Sequence, residues 1–432
     1  MQRFVGILGV LALLGLALLL SRHRKRISPR IVLSGIGLQV VLGWLLLSFP
    51  PVVRAFDYLA SGVNVVIGCA DTGIEFVFGP RLMDPTGPWG FIFAVKVLPV
   101  IIFFSSLMGV LYHLGIMQRV VAGLAWVLRS VMGVTGTEAL AMAANVFVGQ
   151  TEAPLCVKPY VDKMTVSQLM ALMVGGFATI AGSVLVAYVG ILGGDDPVQR
   201  ELFIKHLLTA SVMSAPAAFV IAKIMMPEVD TPLDERKFLR EQALETQNVL
   251  DAAARGATDG LKLALNVAAM LIAFVALLAL LNWPIGALGN IGVIADWRQA
   301  HDIPSFSLEY FLGWLFTPLA WLMGVEAADC QPFGSLMGLK IIATEFIAYQ
   351  SLSNMMVDPA GQAEMSVRSI QIAAYALCGF ANLPSIAIQI GGLTGIAPSR
   401  RTDFARLGLR AMIGGALASW MTASIAGIFL SG

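Results

Sequence analysis

The stretch GQTEAPL at residues 149–155 is the most informative part of the sequence, because it places Glu152 beside Gln150 and Thr151 in a strongly apolar chain. Polar and ionisable groups at membrane depth cost free energy unless another polar group meets them. Pro154 has no backbone N–H and fixes its own φ angle, so it favours a break between two short helices. We therefore predict that this stretch is the polar tip of a hairpin that faces a ligand.

The composition of the whole chain is that of a polytopic membrane protein. Of its 432 residues, 57% are hydrophobic and 13% are charged, and the mean hydropathy is +0.80. A soluble domain carries about 25% charged residues. The net charge of +1 gives no argument for nucleic-acid binding. The four cysteines and four histidines show no metal-binding spacing, so we expect neither a metal centre nor a histidine-based active site.

Apolar runs that are long enough to cross a membrane, which takes about 20 residues, recur along the chain. We predict an all-α fold with about eight transmembrane helices, near residues 4–21, 31–53, 90–112, 166–192, 203–225, 261–284, 367–390 and 405–430. Three further stretches, 54–80, 115–133 and 304–325, are predicted to be interfacial helices. The charged stretch 226–260 is predicted to be a cytoplasmic loop that contains an amphipathic helix.

Charge predicts the orientation of these helices. The basic residues at 22–26 follow the first apolar run, whereas a signal peptide carries its positive charge before that run. If both termini are periplasmic, the basic residues at 22–30 and 400–410 fall on the cytoplasmic side, as the positive-inside rule requires. This topology requires 134–160 and 332–357 to be re-entrant hairpins that enter and leave on one side. The lysines within apolar surroundings are predicted to extend toward an interface: Lys96, Lys158 and Lys223.

The two predicted hairpins begin matching halves of the chain. Glu152 follows a threonine in the first hairpin, and Glu345 follows Thr344 in the second. Each hairpin is followed by a span that small or polar residues interrupt, at 179–183 and at 378–385. Inverted repeats that each contain a broken helix are typical of secondary transporters with a binding site at the membrane midplane.

These polar groups predict the chemistry of the ligand. Glu152 and Glu345 are expected to face one another across a cavity near the two interruptions, because irregular backbone at membrane depth is tolerated where it lines a cavity or is buried in protein. The ends of helices bind cations and polar groups. Carboxylates, amides and hydroxyls suit a neutral ligand that is rich in hydroxyl groups. The sequence offers no basic clamp for a phosphate, so an anionic ligand is disfavoured.

These motifs resemble those of the concentrative nucleoside transporters, bacterial branch. The resemblance rests on GQTEAPL at 149–155, TEF at 344–346, CGFAN at 378–382 and AIQIGG at 387–392, and it extends over nearly the whole chain. It implies a symporter in the bacterial inner membrane that imports nucleosides such as uridine with sodium and has no organic cofactor. It also implies a homotrimer, in which each protomer has a scaffold domain and a transport domain that moves like an elevator.

The resemblance divides the chain into four segments. Residues 1–133 would form mainly scaffold, and 134–225 would form the first transport repeat, with one hairpin and two helices. Residues 226–331 would contain the cytoplasmic loop, a scaffold helix and an interfacial helix. Residues 332–432 would form the second transport repeat.

The resemblance also implies the residues of the site. Those that bind the nucleoside would come from both hairpins and both broken helices: Gln150, Thr151, Glu152 and Val184 on the base side, and Glu345, Phe380, Asn382 and Ser385 on the ribose side. Sodium would lie between the first hairpin tip and the first broken helix. Its ligands would be the side-chain oxygens of Asn145 and Thr179 and the backbone carbonyls of Val148 and Ile180. Oxygen ligands of this kind suit a small, hard cation.

Two positions depart from the family pattern, and both touch the ribose side. Thr344 stands where the family usually has Asn, and Pro384 stands where Ser or Gly is common. These departures bear on the selectivity for base and sugar.

The alternative functions are a proton-coupled symporter, an intramembrane enzyme and an ion channel. A proton-coupled symporter of the same fold would carry its proton on a carboxylate of the cavity. An intramembrane enzyme would use Glu152 and Glu345 as an acid–base pair, but neither a nucleophile–histidine pair nor a metal motif accompanies them. An ion channel is disfavoured by the two hairpins, which would occlude a continuous pore. We therefore expect a transporter and not an enzyme.

Overall fold

The computed structural model describes residues 2–83, 92–194, 196–232, 246–300, 305–356 and 365–430, and this part of the chain consists of helices and turns without a strand. The helices before the first hairpin are α1 (Gln2–Leu19), α2 (Pro29–Leu47), α3 (Pro50–Phe78), α4 (Pro80–Met83), α5 (Phe93–Lys96), α6 (Leu98–His113) and α7 (Ile116–Met132). Prolines open several of them, because the first helical turn needs no N–H from that residue. The all-α membrane fold is confirmed.

The first hairpin and the helices that follow it come next in the chain. They are α8 (Gly136–Asn145), a 3₁₀ turn (Ala153–Val157), α9 (Lys158–Val161), α10 (Val166–Ala178), α11 (Gly182–Gly193) and α12 (Pro197–Met225). The helix α8 ends just before the GQTEAPL stretch, and the chain returns through the 3₁₀ turn. The span predicted at 166–192 is broken between α10 and α11, as the sequence indicated.

The second half of the chain repeats this order. After α13 (Val249–Gly289) and α14 (Gly292–Ala300) follow α15 (Leu308–Leu322), α16 (Cys330–Ile342), α17 (Glu345–Met356), α18 (Val367–Leu377), α19 (Leu383–Ile396) and α20 (Arg401–Phe429). Short 3₁₀ turns precede α16 and α20, at Ala327–Asp329 and Pro398–Arg400, and another at Arg24–Arg26 precedes α2. In order, α15 to α20 correspond to α7, α8, the returning arm of the first hairpin (the 3₁₀ turn and α9), α10, α11 and α12.

The two hairpins start at opposite ends of the molecule. At the base of the first hairpin, Arg400 donates hydrogen bonds to the carbonyls of Asp162 (2.8 Å) and Met164 (2.7 Å), so this base lies beside the beginning of α20. At the base of the second, Arg368 donates to the carbonyl of Gly427 (2.6 Å), at the end of α20. Because one helix joins the two bases end to end, the repeats are inverted, as predicted.

Among the described residues, seven helical stretches are long and apolar enough to cross a membrane by length and composition. Six of them coincide with predicted spans, and the other two predicted spans correspond to shorter apolar helices, at Phe4–Leu19 and at the broken pair α18 and α19. The seventh stretch is α3, which includes all but the last two residues of the stretch 54–80 that we predicted to be interfacial. The span predicted at 261–284 is part of α13, a helix of 41 residues that also contains the end of the predicted loop; residues 233–245 of that loop lie outside the described part.

The ion pairs of α3 show how it lies. Lys205 on α12 contacts Asp57 at 2.8 Å, and Arg200 contacts Asp71 at 3.4 Å. Between these two pairs, the hydroxyl of Ser61 donates to Glu201 at 2.9 Å. The beginning of α3 therefore runs beside the beginning of α12 in the opposite direction. The interfacial position of this stretch remains a prediction.

Lys223 does not extend toward an interface as predicted, and that expectation was wrong. Its ammonium group lies 2.5 Å from Oε1 of Glu138, and both side chains are buried, with 6% and 2% exposure. It also donates to the hydroxyl of Ser167 at 3.0 Å. Glu138 in turn forms a capping box with Thr135 at the start of α8. A buried carboxylate partner compensates the charge, so the lysine has no need of water.

Candidate functional site

The two broken helices meet at their breaks. Gly379, in the second break, has φ +125°, a conformation that side chains disfavour. A Cβ at this position would lie 2.7 Å from the carbonyl oxygen of Phe177 and 2.9 Å from that of Ala178, at the end of α10. Only glycine permits this close approach. The crossing brings the ends of four half-helices together inside the protein, as expected for a site built from inverted repeats.

Glu345, the first residue of α17, is the buried carboxylate of this region. It is 3% exposed. Its Oε1 accepts a hydrogen bond from the Tyr188 hydroxyl at 2.8 Å, and its Oε2 accepts one from Nδ2 of Asn382 at 2.6 Å. The second hairpin is thereby tied to both broken helices. Each oxygen keeps further lone pairs that can accept from hydroxyl groups of a ligand.

One face of α19 carries polar residues toward both hairpins. Asn382 caps the helix by accepting from the Ser385 backbone N–H at 2.8 Å, and Gln389 donates to the carbonyl of Met173 at 3.0 Å. Gly392 follows, where a Cβ would lie 2.9 Å from Cγ2 of Thr151. The spacing of three to four residues places all four positions on the same side of the helix.

The two departures from the family pattern are accommodated at helix starts. Pro384 lies in the first turn of α19, where a missing N–H costs no hydrogen bond, and the cap between Asn382 and Ser385 is intact. Thr344 precedes α17 and is 7% exposed, and its hydroxyl accepts from the Ile347 N–H at 3.4 Å. Both residues therefore stabilise the elements that hold Glu345 and Ser385.

The tip of the first hairpin packs against α10 and α19. Gln150 is 7% exposed, and its Oε1 has no hydrogen-bond partner among the described residues. A Cβ at Gly176 would lie 2.9 Å from Cβ of Gln150 and 2.4 Å from Nε2 of Gln389. Thr151 is half-buried, whereas Glu152 is exposed. Of the two predicted carboxylates, Glu345 is thus locked in a buried network and Glu152 is accessible.

The residues predicted to hold sodium lie where this tip meets the first break. The Gly182 N–H donates to the Phe147 carbonyl at 2.8 Å, so 147–149 lies against 180–182. Asn145 is 1% exposed, and neither polar atom of its side chain has a hydrogen-bond partner among the described residues. The Thr179 hydroxyl donates to the Gly175 carbonyl at 2.8 Å and keeps its lone pairs. Val148 and Ile180 lie in the two segments that touch.

Four further residues of the site lie on the two broken helices. Val184 is 1% exposed in the first turn of α11, and Phe380 is half-buried in the second break. Sequence reasoning assigned no role to Tyr188 or Gln389. Gln389 lies within the AIQIGG motif, where a lone amide among apolar residues was the available indication. Tyr188 is surrounded by apolar residues in the sequence, and only the folded chain shows that it bonds Glu345.

Gly176→Ala is expected to lower uptake about tenfold or more, because the added methyl group would displace the amide of Gln389 and the first hairpin tip; misplacement by about 1 Å has costs of this order. The matched control is Gly190→Ala on α11, where a Cβ would meet nothing within 4 Å. Initial rates of uptake at equal amounts of protein in proteoliposomes measure both. Equal rates for the two variants would show that the packing between Gln150 and Gln389 does not matter for transport.

Three family descriptions match successive parts of the chain. "Na+ dependent nucleoside transporter N-terminus" matches residues 8–81, "Nucleoside recognition" matches 94–195, and "Na+ dependent nucleoside transporter C-terminus" matches 206–427. A transporter of Haemophilus influenzae without an assigned substrate is 45% identical over 98% of this chain and 97% of its own. The rat sodium/nucleoside cotransporter 1 is 40% identical over 99% of this chain, which spans 64% of the rat protein.

Solved structures are similar to the whole chain. CNTnw in an inward-facing substrate-bound state has a TM-score of 0.89 at 40% identity, covering 99% of this chain and 98% of that one. A double variant of CNTnw in an outward-facing state also has a TM-score of 0.89, at 39% identity and with the same coverage. The similarity therefore concerns the helix arrangement that the two states share.

Proposed function

Because the chain belongs to the concentrative nucleoside transporter family, we propose that it is a secondary active importer that moves nucleosides such as uridine across the bacterial inner membrane together with sodium. The observation that carries the proposal is the buried network of Tyr188, Glu345 and Asn382 at the crossing of the two breaks. A carboxylate held by two donors accepts from ribose hydroxyls at fixed positions, and charge-assisted hydrogen bonds of this kind are the strong ones.

The nucleoside would lie between the two hairpin tips, along the polar face of α19. Glu345, Asn382 and Ser385 would bind the ribose, with Phe380 beside it. Gln150, Thr151 and Glu152 would bind the base, and Val184 would contribute an apolar contact. Oε1 of Gln150, which has no partner in the part of the chain that the structure describes, supports this assignment. A buried acceptor without a donor costs free energy that a base N–H would relieve.

Sodium would bind between the first hairpin tip and the first break. The ligands would be the side-chain oxygens of Asn145 and Thr179 and the backbone carbonyls of Val148 and Ile180. The amide of Asn145, for which the described residues offer no hydrogen-bond partner, supports this site. Because the same hairpin tip carries the base ligands, a cation that orders the tip would raise the affinity for nucleoside, and nucleoside would raise the affinity for the cation by the same factor.

The larger assembly is proposed on the same family basis. Segments 134–225 and 332–432 would form a transport domain that moves against the scaffold, with three protomers in a trimer surrounded by lipid. The basic ends of α1 and α20 would face the cytoplasm and the chain termini the periplasm. The structure supports one part of this topology, since the backbone N–H of Arg22 bonds the carbonyl of Met225 at 3.0 Å on the same side as the base of the first hairpin.

Uptake of radiolabelled uridine into proteoliposomes tests the proposal. We expect concentrative uptake with an inward sodium gradient and none when choline replaces sodium. Uptake driven by an inward proton gradient without sodium would instead favour the proton-coupled alternative, in which a carboxylate such as Glu152 or Glu345 carries the proton. If neither gradient drives the uptake of uridine or of a purine nucleoside by folded protein, the proposal is wrong.

Asn145→Ala is expected to raise the sodium concentration for half-maximal uptake at least tenfold, because one lost oxygen ligand costs about 1.5 kcal/mol or more, which is tenfold in affinity. The control is Asn290→Ala, at the exposed end of α13. Sodium titrations of uridine uptake measure the shift. An unchanged titration for Asn145→Ala would remove this residue from the ion site without affecting the assignment of the nucleoside.

A further inference from the structure

The two repeats share a register that pairs individual residues. The helix α10 begins after Met164-Thr165, and α18 begins after Met365-Ser366. In each, the hydroxyl of the capping residue accepts from the backbone N–H three residues later, at 3.1 Å for Thr165 and 3.3 Å for Ser366. Counted from these caps, Gly175 and Ala376 occupy the same position near the ends of α10 and α18.

Each of these two positions has a polar hairpin side chain beside it, and the two are counterparts. A Cβ at Gly175 would lie 2.7 Å from Sδ of Met142 and 3.3 Å from Nδ2 of Asn145, near the end of α8. The carbonyl of Ala376 accepts a hydrogen bond from Nζ of Lys340 at 2.9 Å, near the end of α16. Counted from the capping residues Thr135 and Asp329, Asn145 and Lys340 correspond to within one residue.

The two places differ in the charge of the side chain that lies beside the end of the helix. The carboxyl end of a helix carries a partial negative charge and favours a cation. Lys340 supplies that cation at the end of α18, and its side chain is fully buried, with 0% exposure. At the end of α10 the corresponding side chain is the neutral amide of Asn145, whose two polar atoms have no partner among the described residues. Because the amide of Asn145 is neutral, a cation bound at this place would have to come from solution.

We propose that Lys340 is a built-in cation that occupies, in the second repeat, the place that the coupling cation occupies in the first. The transport cycle then exchanges one cation, at the Asn145 site only, and one elementary charge enters with each neutral nucleoside. Lys340 is a positioning residue in this scheme, since its ammonium group holds the end of α18 beside the break that carries Phe380 and Asn382. The inference rests on the proposed cation coupling.

The test counts bound sodium on the full-length protein in detergent with ²²Na⁺ and compares wild type with three variants. We expect one sodium per protomer in wild type, and one in Asn145→Ala whose affinity is at least tenfold weaker. Lys340→Gln, which places a side-chain oxygen where the ammonium group was, is expected to bind two, and its sodium activation of uptake should become sigmoidal. Lys340→Met, which removes the charge and offers no oxygen, should bind one.

The outcomes separate this inference from the function on which it rests. Two sodium ions per wild-type protomer, a sodium ion that Asn145→Ala binds with wild-type affinity, or a Lys340→Gln variant that binds only one would each overturn the role of Lys340 and leave sodium coupling in place. A wild type that binds no sodium would instead refute the sodium coupling itself. If the Lys340 variants do not fold, the membrane potential at which wild-type flux reverses decides: one charge per nucleoside supports the inference, and two charges contradict it.

Discussion

Glu345→Gln is expected to lower nucleoside uptake by about two orders of magnitude, since hydrogen bonds to a charged group contribute about 1.5–3 kcal/mol each and 1.4 kcal/mol corresponds to tenfold. The carboxylate accepts from both Tyr188 and Asn382. A glutamine accepts through one atom only, so its amide NH₂ would have to donate to the Tyr188 hydroxyl, which can also accept. The negative charge and one acceptor for the ribose are thereby lost, although the side chain keeps its size.

Glu75→Gln is the matched control for this experiment, because Glu75 is exposed on α3, away from the crossing of the breaks. Uridine uptake and uridine binding should be measured for both variants in proteoliposomes, with size-exclusion profiles to show that they are folded. Uptake by Glu345→Gln at the wild-type rate would mean that the carboxylate charge is not needed, and the ribose assignment would have to be abandoned.

Lys223→Met is expected to destabilise the protein by about 3–5 kcal/mol, the usual cost of removing one partner of a buried ion pair. Without the ammonium group, the carboxylate of Glu138 stays buried at the start of α8 with only the capping bonds from Thr135. The melting temperature in detergent should fall by about 5 °C or more. Uptake by the protein that remains folded should change much less, since Lys223 lies at the base of the first hairpin and not at its tip.

The control for Lys223→Met is Lys262→Met, which removes the lysine of an exposed pair with Asp259 whose side chains are 69% and 67% exposed. Exposed pairs contribute about 0–1 kcal/mol, so its melting temperature should be nearly unchanged. The double variant Lys223→Met with Glu138→Gln should regain part of the lost stability, because neither charge is then left unpaired. Equal melting temperatures for Lys223→Met and Lys262→Met would show that the buried pair is not stabilising.

The sequence predicts the fold well wherever a single physical rule applies locally. Hydrophobic length predicts most of the spans, and the positive-inside rule requires hairpins where the structure has α8 and α16. Polar and small residues predict the breaks after Ala178 and Leu377. The length of α13 was not predicted, because its charged first turns and its apolar remainder look like separate elements when hydropathy alone is considered.

The site is predicted less completely, because its contacts join distant parts of the chain. Glu345 is conspicuous as a carboxylate in an apolar stretch, but its partner Tyr188 is an ordinary aromatic residue until the two broken helices cross. Lys223 was mistaken for an interfacial lysine, since the carboxylate that compensates it, on Glu138, is 85 residues earlier. Pairings of this kind are decided by tertiary structure, and neither periodicity nor composition indicates them.

The contacts between the polar face of α19 and the first hairpin form late in biosynthesis. The tip of the first hairpin packs against Gln389 and Gly392, which are synthesised about 240 residues after Gln150, or roughly 10–50 s later at ordinary rates of translation. During that interval the tip of the first hairpin and the Met173 carbonyl on α10 lack their partners on α19. The nascent chain must therefore keep a polar hairpin at the edge of the bilayer until α19 is inserted. Truncated chains that end before residue 380 should fold inefficiently and be degraded by membrane proteases.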